Sequence, residues 1–293
     1  MIVNKPAGYT SHDVVARARR LFGTRQVGHT GTLDPMATGV LVLLIGRAVK
    51  AAEYVTGEKK TYRATLKLGL TTDTEDITGK ILSSTDRLPD AAAVIEAARS
   101  FCGTTLQTPP MYSALKIGGK KLVDLARAGK TVERTPREIT IYDLEIVPES
   151  ADTYRLDVTV SAGTYIRTLC ADIGAKLGCG GVMASLCRTA AGSFSLSHAH
   201  TLEEIENLDP NGRAALLLPV EELFVSHPVL PLPAFFERLA RSGCEIYLKK
   251  IGVALFAGTR VRLADEKGSF FALAEIREFP DGLAAKPVKF FDI

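Results

Sequence analysis

The sequence contains no tryptophan and only five cysteines among 293 residues, and no two of these cysteines form a CxxC pair. An odd number of cysteines without this spacing argues against a disulfide framework and against a zinc site of the usual type. We therefore expect reduced thiols and a cytoplasmic location.

Hydrophobic runs long enough to cross a membrane are also missing. The best candidate, residues 40–45, has only the length of a strand, whereas a transmembrane helix needs about 18 or more apolar residues. The opening residues, MIVNKPAGYTS, contain neither an apolar signal core nor a small-residue cleavage site. We therefore expect neither a membrane span nor export.

The sequence patterns of several common active sites do not occur. The phosphate-binding patterns GxxxxGKS/T and GxGxxG, the zinc-protease pattern HExxH, the hydrolase pattern GxSxG and the EF-hand loop are all absent. The chemistry must therefore be sought in another group of residues.

The composition is that of a folded protein, with 46% hydrophobic and 24% charged residues. Such a chain can bury a sizeable core, which excludes wholesale disorder. At about 150 residues per domain, its length predicts two domains.

The charge is unevenly distributed, although the net charge is only +3. Residues 1–63 carry ten Lys and Arg against four acids, and residues 109–137 carry seven against two. Residues 201–222 carry six acids against one Arg. This distribution indicates either a positive face with the acidic segment turned away from it, or ordinary solvated charge.

Periodicity and capping residues predict an alternation of helices and strands. Helices are expected over 12–22 with Ser11 as N-cap, from Pro89 to about Phe101, and over 165–177 with Thr164 as cap. Between the first helix and a strand at 40–45 that is buried on both faces lies an ordered loop, residues 28–39. Further strands are expected at 62–70, 139–147 and 154–161.

Two later segments interrupt this pattern. Residues 108–137 form a basic insertion with prolines at both ends and one short helical piece, and long ordered insertions are often functional. The proline-rich stretch 227–233 indicates a domain boundary. The residues that follow it predict a small β-rich module, a barrel.

Asp34 is the best single candidate for chemistry. It lies in the loop segment GHTGTLDP, where Pro35 disfavours helical geometry at Asp34. A carboxylate there can act as a nucleophile or a base. The alternative, which spacing alone favours, is a turn residue that bonds its own backbone.

Arg167 is the second candidate, because it is a cation in the first turn of a predicted helix, where the macrodipole disfavours it. Either a buried carboxylate compensates this charge, or Arg167 is an ordinary surface arginine. Tyr62 and His29, taken alone, indicate only core packing and a polar loop residue.

Four ordered motifs carry a family resemblance: N-K-P-A-G-Y-T-S (4–11), G-H-T-G-T-L-D-P-M-A-T-G-V-L (28–41), G-T-Y-I-R-T-L-C-A-D-I-G (163–174) and L-C-R-T-A-A-G-S-F (186–194). The chain from residue 2 to 225 resembles the TruB family of tRNA pseudouridine synthases. The tail beyond 228 is similar, more loosely, to a PUA-type RNA-binding module. Members usually carry several more residues before the NKP motif, so we expect a shortened first strand or a start further upstream.

The resemblance implies an α+β fold with a mixed, mainly antiparallel sheet flanked by helices. The catalytic domain would span residues 1–226, with a basic thumb insertion at about 108–137 that closes on RNA. The PUA-like module would span residues 227–293.

The resemblance also implies roles for individual residues. Asp34 would be the catalytic aspartate, oriented by Arg167, and Tyr62 would stack on the target base near the carbon that loses its proton. Leu186 would belong to the apolar wall around the base, and His29 would fill the gap left in the RNA stack. The expected substrate-binding set is completed by Lys5 (which with Pro6 would brace the catalytic loop), Thr32, Tyr165, Lys116, Lys120 and Lys121.

The implied reaction converts uridine 55 in the TΨC arm of tRNA into pseudouridine, on a flipped-out base and without cofactor or metal. We expect a monomer that binds the T-arm. Whether Asp34 adds to C6 of the base or helps to detach it stays open. Two other hypotheses are an RNA-binding helper of tRNA folding and a hydrolase of a glycosidic bond, for which no second acid is evident near Asp34.

Overall fold

Residues 1–55 and 57–291 are described by the computed structural model. Their strands are β1 (Ile2–Lys5), β2 (Val27–His29), β3 (Thr38–Ile45), β4 (Lys60–Leu68), β5 (Leu70–Thr72), β6 (Ile81–Ser84), β7 (Gly103–Gln107), β8 (Lys116–Ile117), β9 (Lys120–Lys121), β10 (Arg137–Pro148), β11 (Thr153–Val160), β12 (Gly181–Ala191), β13 (Phe194–Ser195), β14 (His200–Thr201), β15 (Val229–Pro231), β16 (Ile246–Tyr247), β17 (Arg260–Ala264), β18 (Phe270–Phe279) and β19 (Gly282–Phe290).

The helices are short and lie between these strands. They are α1 (Ser11–Leu21), α2 (Ala52–Val55), α3 (Ala91–Arg99), α4 (Leu122–Arg127), α5 (Ile166–Lys176), α6 (Leu202–Asn207), α7 (Pro210–Ala215) and α8 (Ala234–Arg241), with 3-10 turns at Gly46–Ala51, Leu196–His198, Val220–Phe224 and Leu248–Lys250.

A ten-stranded sheet forms the centre of the larger part of the chain. Its order is β14-β1-β3-β12-β4-β11-β10-β7, with β2 added to β3 and β13 to β12. The pairs β1–β14 and β3–β12 are parallel and the other pairs are antiparallel. The predicted mixed, mainly antiparallel sheet is therefore confirmed.

Strand β3 is buried on both faces, as its continuous apolar run predicts. Leu41 and Leu43 pack with Val14 and Val15 of α1. Val40, Val42 and Leu44 lie in a second cluster, on the other side of the strand, together with Leu223 and Phe224. A strand enclosed in this way is a rigid end point for the loop that precedes it.

Strand β4 presents one apolar face, again as predicted. Tyr62, Ala64, Leu66 and Leu68 are all buried, whereas Arg63 on the opposite face is exposed. The buried side chains join a cluster with Leu169 and Ile173 of α5 and Val94 of α3. Burial of this apolar face attaches the two helices to the sheet.

Three helix starts differ from the prediction. The N-cap of α1 is Thr10, which forms a capping box with Asp13, and not Ser11. Helix α3 is capped by Asp90, one residue after Pro89. Thr164 does not cap α5, because its hydroxyl donates to the Ser161 carbonyl.

The basic insertion leaves the sheet between β7 and β10. It contains the small hairpin β8–β9 and helix α4, where a short helical piece is predicted. The acidic segment begins with α6, which lies near β1, at the other end of the strand order. The two oppositely charged segments are thus separated across the sheet.

The C-terminal part forms a second sheet of five strands, in the order β15-β17-β18-β19-β16. This sheet is curled into a half-barrel, which is consistent with a PUA-like module but is not a closed barrel. Leu273 and Phe291 of this part pack in one cluster with Val40 and Val55 of the larger part. The domain division at 226/227 stays a prediction. None of the helices in the described ranges is long and apolar enough to cross a membrane.

Candidate active site

Asp34 lies in a loop that borders a cleft of about 550 Å³. The loop connects β2 to β3, and the N–H of Ala37 donates to the Asp34 carbonyl at 3.0 Å to close its last turn. Among the predicted site residues, those that line this cleft are Thr32, Asp34, Tyr62, Lys121, Tyr165, Arg167 and Leu186. Segments more than a hundred residues apart in sequence therefore meet at one place.

Arg167 is paired with Asp34, with 3.2 Å between Nη2 and Oδ2. Its side chain is only 6% exposed, so it is not a surface arginine, and the Asp34 side chain is 36% exposed and reachable from the cleft. Burial raises the pKa of Asp34, and the positive charge of Arg167 opposes this rise. The pair places one carboxylate in a defined position, although its catalytic role stays a prediction.

Asp76 is a second carboxylate near Arg167 that the sequence analysis missed. Its side chain is 8% exposed, and its Oδ2 lies 3.9 Å from Nη1 of Arg167. The backbone N–H and the hydroxyl of Thr78 donate to Asp76 Oδ1 at 2.9 and 2.6 Å. The turn between β5 and β6 thus presents a fixed negative charge to the arginine.

Glu75, beside it in the same turn, has a left-handed backbone conformation with φ of 65°. Few side chains adopt this conformation without compensation. The Thr168 hydroxyl of α5 donates to Glu75 Oε2 at 2.5 Å, and the Met183 N–H donates to the Glu75 carbonyl at 3.1 Å. These contacts attach the turn to the helix that carries Arg167 and to strand β12. The run of Thr and Asp at 71–78 was the available sequence signal.

The root of the thumb also contacts Arg167. Nη2 of Arg167 donates to the Tyr112 carbonyl at 2.7 Å, a shorter contact than either of those it makes to Asp34. The Tyr112 hydroxyl in turn donates to Asp73 in the β5–β6 turn at 3.3 Å. The arginine therefore joins the loop of Asp34, the acidic turn between β5 and β6, and the thumb.

The start of α5 is held by Gln107, another residue that the sequence analysis missed. Its Oε1 accepts from the Tyr165 N–H at 2.9 Å, and its Nε2 donates to the Tyr165 carbonyl at 3.0 Å. This contact takes over the role predicted for Thr164 and satisfies a free amide of the first helical turn. It also fixes the helix end from which Arg167 reaches Asp34.

Lys5 and Ser11 hold the loop of Asp34 by hydrogen bonds to the residues on either side of Asp34. Lys5 is fully buried and its Nζ donates to the carbonyls of Pro6, Tyr9 and Pro35 at 2.8, 2.6 and 3.2 Å. Burial lowers the pKa of Lys5 to about 8. Ser11 Oγ accepts from the Leu33 N–H at 2.8 Å, which explains why it is not the N-cap of α1. Lys5 therefore braces the loop, and it does not line the cleft.

Tyr62 and Leu186 form an apolar wall of the cleft. They lie on the neighbouring strands β4 and β12, and they are 7% and 9% exposed. The Tyr165 ring also borders the cleft, and its centroid lies 5.8 Å from the guanidinium carbon of Arg167. A flat ligand can pack against such side chains.

His29 and two thumb lysines are not brought to the cleft. His29 is partly buried, and burial lowers its pKa. Lys116 and Lys120 are exposed on the β8–β9 hairpin, where they border a separate groove of about 490 Å³. Lys121 borders both this groove and the cleft, and therefore lies where the two meet.

The fold of this chain is also found in a solved structure. The chain aligns with a solved structure titled "Structure of H/ACA RNP bound to a substrate RNA containing 2'-deoxyuridine", with a TM-score of 0.75, 21% identity, and coverage of 100% of this chain and 85% of that one. At this identity the likeness concerns the fold alone.

The chain belongs to the TruB family of pseudouridylate synthases. The model of the family's N-terminal domain matches residues 19–166, and that of the tRNA pseudouridylate synthase B C-terminal domain matches residues 167–225. The tRNA pseudouridine synthase B of Syntrophotalea carbinolica is 43% identical, with 96% of this chain and 98% of the relative covered. That of Geobacillus kaustophilus is 45% identical, with 83% and 94% covered. The predicted family and the predicted enzyme class, an isomerase, are confirmed.

Proposed function

We propose that this protein converts uridine 55 in the T-arm of tRNA into pseudouridine, with Asp34 as the catalytic carboxylate. Its relatives are named for tRNA. The observation that carries the assignment of Asp34 is its ion pair with buried Arg167 at the edge of a cleft walled by Tyr62 and Leu186.

The isomerisation breaks the bond between C1′ of the ribose and N1 of uracil and forms one between C1′ and C5. The proton on C5 is lost and N1 gains one, so no redox partner enters the balance. Asp34 would act as an ionised carboxylate, either by adding to C6 or by assisting detachment of the base. An arginine partner keeps its charge at any working pH, so Arg167 favours the ionised form of Asp34 throughout.

The target base must leave the RNA stack to reach Asp34, which costs a few kcal/mol. Stacking on an aromatic ring returns about 1–3 kcal/mol per base. The Tyr62 ring borders the cleft from β4, and Leu186 completes this wall from β12. The cleft therefore offers the apolar contacts that a flipped uracil requires.

Most of the affinity would come from phosphates. Lys116 and Lys120 are exposed on the thumb hairpin, and Lys121 continues the basic surface toward the cleft. Neutralising phosphates with lysine gives strongly salt-dependent binding. Recognition of a folded arm by its shape suits such contacts.

The test is a comparison of Asp34→Asn with wild type on an unmodified T-arm transcript. We expect no pseudouridine in the variant and pseudouridine at position 55 with the wild type. Asp157→Asn is the matched control, because Asp157 is a carboxylate paired with Arg63 on the sheet surface. Full activity of Asp34→Asn, or modification at another uridine, would refute the proposal, and free uracil would indicate the hydrolase.

A second candidate is assistance of tRNA folding, independent of catalysis. It is favoured by the exposed basic hairpin, which can bind RNA whether or not Asp34 reacts. If this activity exists, Asp34→Asn still refolds a misfolded transcript at the wild-type rate. A variant that loses both activities together would contradict it.

A further inference from the structure

Arg188 of β12 is the largest of the fully buried side chains, with 1% exposure. It lies two residues after Leu186 and borders the same cleft as Asp34. Among the described residues, no Asp or Glu oxygen lies within 4.0 Å of its guanidinium. A buried charge without a counter-charge is costly, so its other partners indicate what it does.

Those partners are backbone carbonyls of the segment that carries Asp34. Nε donates to the Val40 carbonyl at 2.7 Å, and Nη2 donates to the Gly31 carbonyl at 3.0 Å. Nη1 donates to the Thr32 carbonyl at 3.4 Å. The rigid, planar guanidinium thus joins the beginning of the loop, at Gly31 and Thr32, to Val40 in strand β3, which follows the loop.

The backbone of Arg188 approaches the same segment. Arg188 is paired with Gly39 in the parallel β12–β3 ladder. Gly39 has φ of 100°, and a Cβ there would lie 2.3 Å from the Arg188 carbonyl oxygen. The main chain and the side chain of Arg188 therefore hold the two sides of the loop in one fixed relation.

We propose that Arg188 is a positioning residue: its guanidinium fixes the backbone of Gly31 and Thr32 and thereby sets where the Asp34 carboxylate stands in the cleft. This rests on the proposed role of Asp34 in the isomerisation. Lys5 and Ser11 hold the residues next to Asp34, whereas Arg188 holds the residues that lead to it. Lysine cannot replace it, because a single ammonium does not reproduce the planar fork of donors.

The proposal predicts a loss of rate without a loss of RNA affinity. A displacement of about 1 Å at a reacting group can reduce the rate about 100-fold. We expect a decrease of about this size in single-turnover pseudouridine formation by Arg188→Lys and Arg188→Ala. The Kd for the T-arm should not change, and hydrogen–deuterium exchange of residues 30–36 should become faster. Guanidinium ion should restore part of the rate of Arg188→Ala.

The matched control is Arg155→Lys, on β11 of the same sheet, where the arginine forms a surface ion pair with Asp157. It should keep the wild-type rate and exchange. Circular dichroism and thermal melting establish that each variant is folded. If Arg188→Ala does not fold, Arg188→Lys decides, and failure of Arg188→Lys to fold would place Arg188 in the core and overturn the proposal.

Folded Arg188 variants with the wild-type rate would also overturn the proposal. So would a decrease in rate that is entirely explained by a weaker Kd, or one without faster exchange at residues 30–36. The exchange measurement requires no turnover. A wild-type enzyme that forms no pseudouridine in this RNA would therefore refute the proposed function, while exchange still reports on what Arg188 holds.

Discussion

Replacement of Asp76 by Asn tests whether Arg167 depends on two carboxylates. Asp76 and Arg167 are both buried, with side-chain exposures of 8% and 6%, and 3.9 Å separates their nearest charged atoms. With an effective dielectric constant of about 20, the attraction at this distance is about 4 kcal/mol. Desolvation offsets much of this energy, and Arg167 retains Asp34 and the Tyr112 carbonyl as partners. We therefore expect a net loss of about 2 kcal/mol.

If this loss appears in the transition state, kcat falls about 30-fold. The pH dependence should change as well. Burial is the largest cause that raises the pKa of Asp34, Arg167 lowers it, and the negative charge of Asp76 raises it. Without that charge the pKa of Asp34 falls, so the acid limb of kcat/KM should move to lower pH.

The assay is pseudouridine formation in a T-arm transcript between pH 4 and 8, with folding checked by circular dichroism. Asp73→Asn is the matched control, because Asp73 lies in the same turn but bonds Lys80 and Tyr112 and not Arg167. It should not move the acid limb. If the acid limb moves to higher pH in Asp76→Asn, Arg167 no longer pairs with Asp34. If kcat is unchanged, Asp76 does not hold Arg167 in place. Either result would refute the reasoning.

Three further predictions concern charges around the site. Lys5 lowers the pKa of Asp34, so in Lys5→Met this pKa should rise and the acid limb of kcat/KM should move to higher pH. Replacement of the exposed Lys50 by Met should leave the acid limb unchanged. Burial raises the pKa of Asp172 to about 6, so the folded state binds this proton more tightly and wild-type stability falls as pH rises from about 4 to 6. Urea denaturation of Asp172→Asn should therefore show a gain of about 1–2 kcal/mol at pH 7 that vanishes near pH 4, and equal stability at pH 7 would contradict this. Lys116→Ala and Lys120→Ala should each reduce the slope of log Kd against log salt by about 0.7–0.9 in filter binding. An unchanged slope would mean that the replaced lysine contacts no phosphate.

Much of the sheet could be predicted because its pattern is local. The alternating residues Tyr62, Ala64 and Leu66 form the buried face of β4, and the unbroken apolar run 40–45 is buried on both faces in β3. Alternation requires one buried face, and a continuous run requires two. No distant partner has to be known to read either pattern.

Capping residues were predicted less well because tertiary partners compete for them. Ser11 has the right residue type for an N-cap, but its hydroxyl oxygen accepts from Leu33, and the neighbouring Thr10 caps the helix. Thr164 is likewise a good cap by residue type, but it is the side chain of Gln107, from β7, that accepts from the Tyr165 N–H at the start of α5. The Ser11 hydroxyl is bonded by a residue distant in sequence, whereas the Thr164 hydroxyl donates to the Ser161 carbonyl, three residues earlier.

The supports of the site were missed for the same reason. Asp76 lies in a run of Thr and Asp that is typical of a turn, and Arg188 lies in the motif 186–194, where no strand was predicted. Only their burial beside Arg167 and beside the loop of Asp34 distinguishes them. A turn pattern specifies its own backbone bonds and not the helix that packs over it.

By itself the sequence determined strands β3, β4, β10 and β11, the basic insertion and the residues that resemble a known family, because these depend on residue type, spacing and order along the chain. The tertiary structure decided that Arg167 is buried against Asp34 and Asp76, that Lys5 lies beneath the loop, and that Lys116 and Lys120 stand apart from the cleft. Charge and hydrogen bonding act over a few ångströms in space. Their partners therefore become known only when segments distant in sequence have packed together.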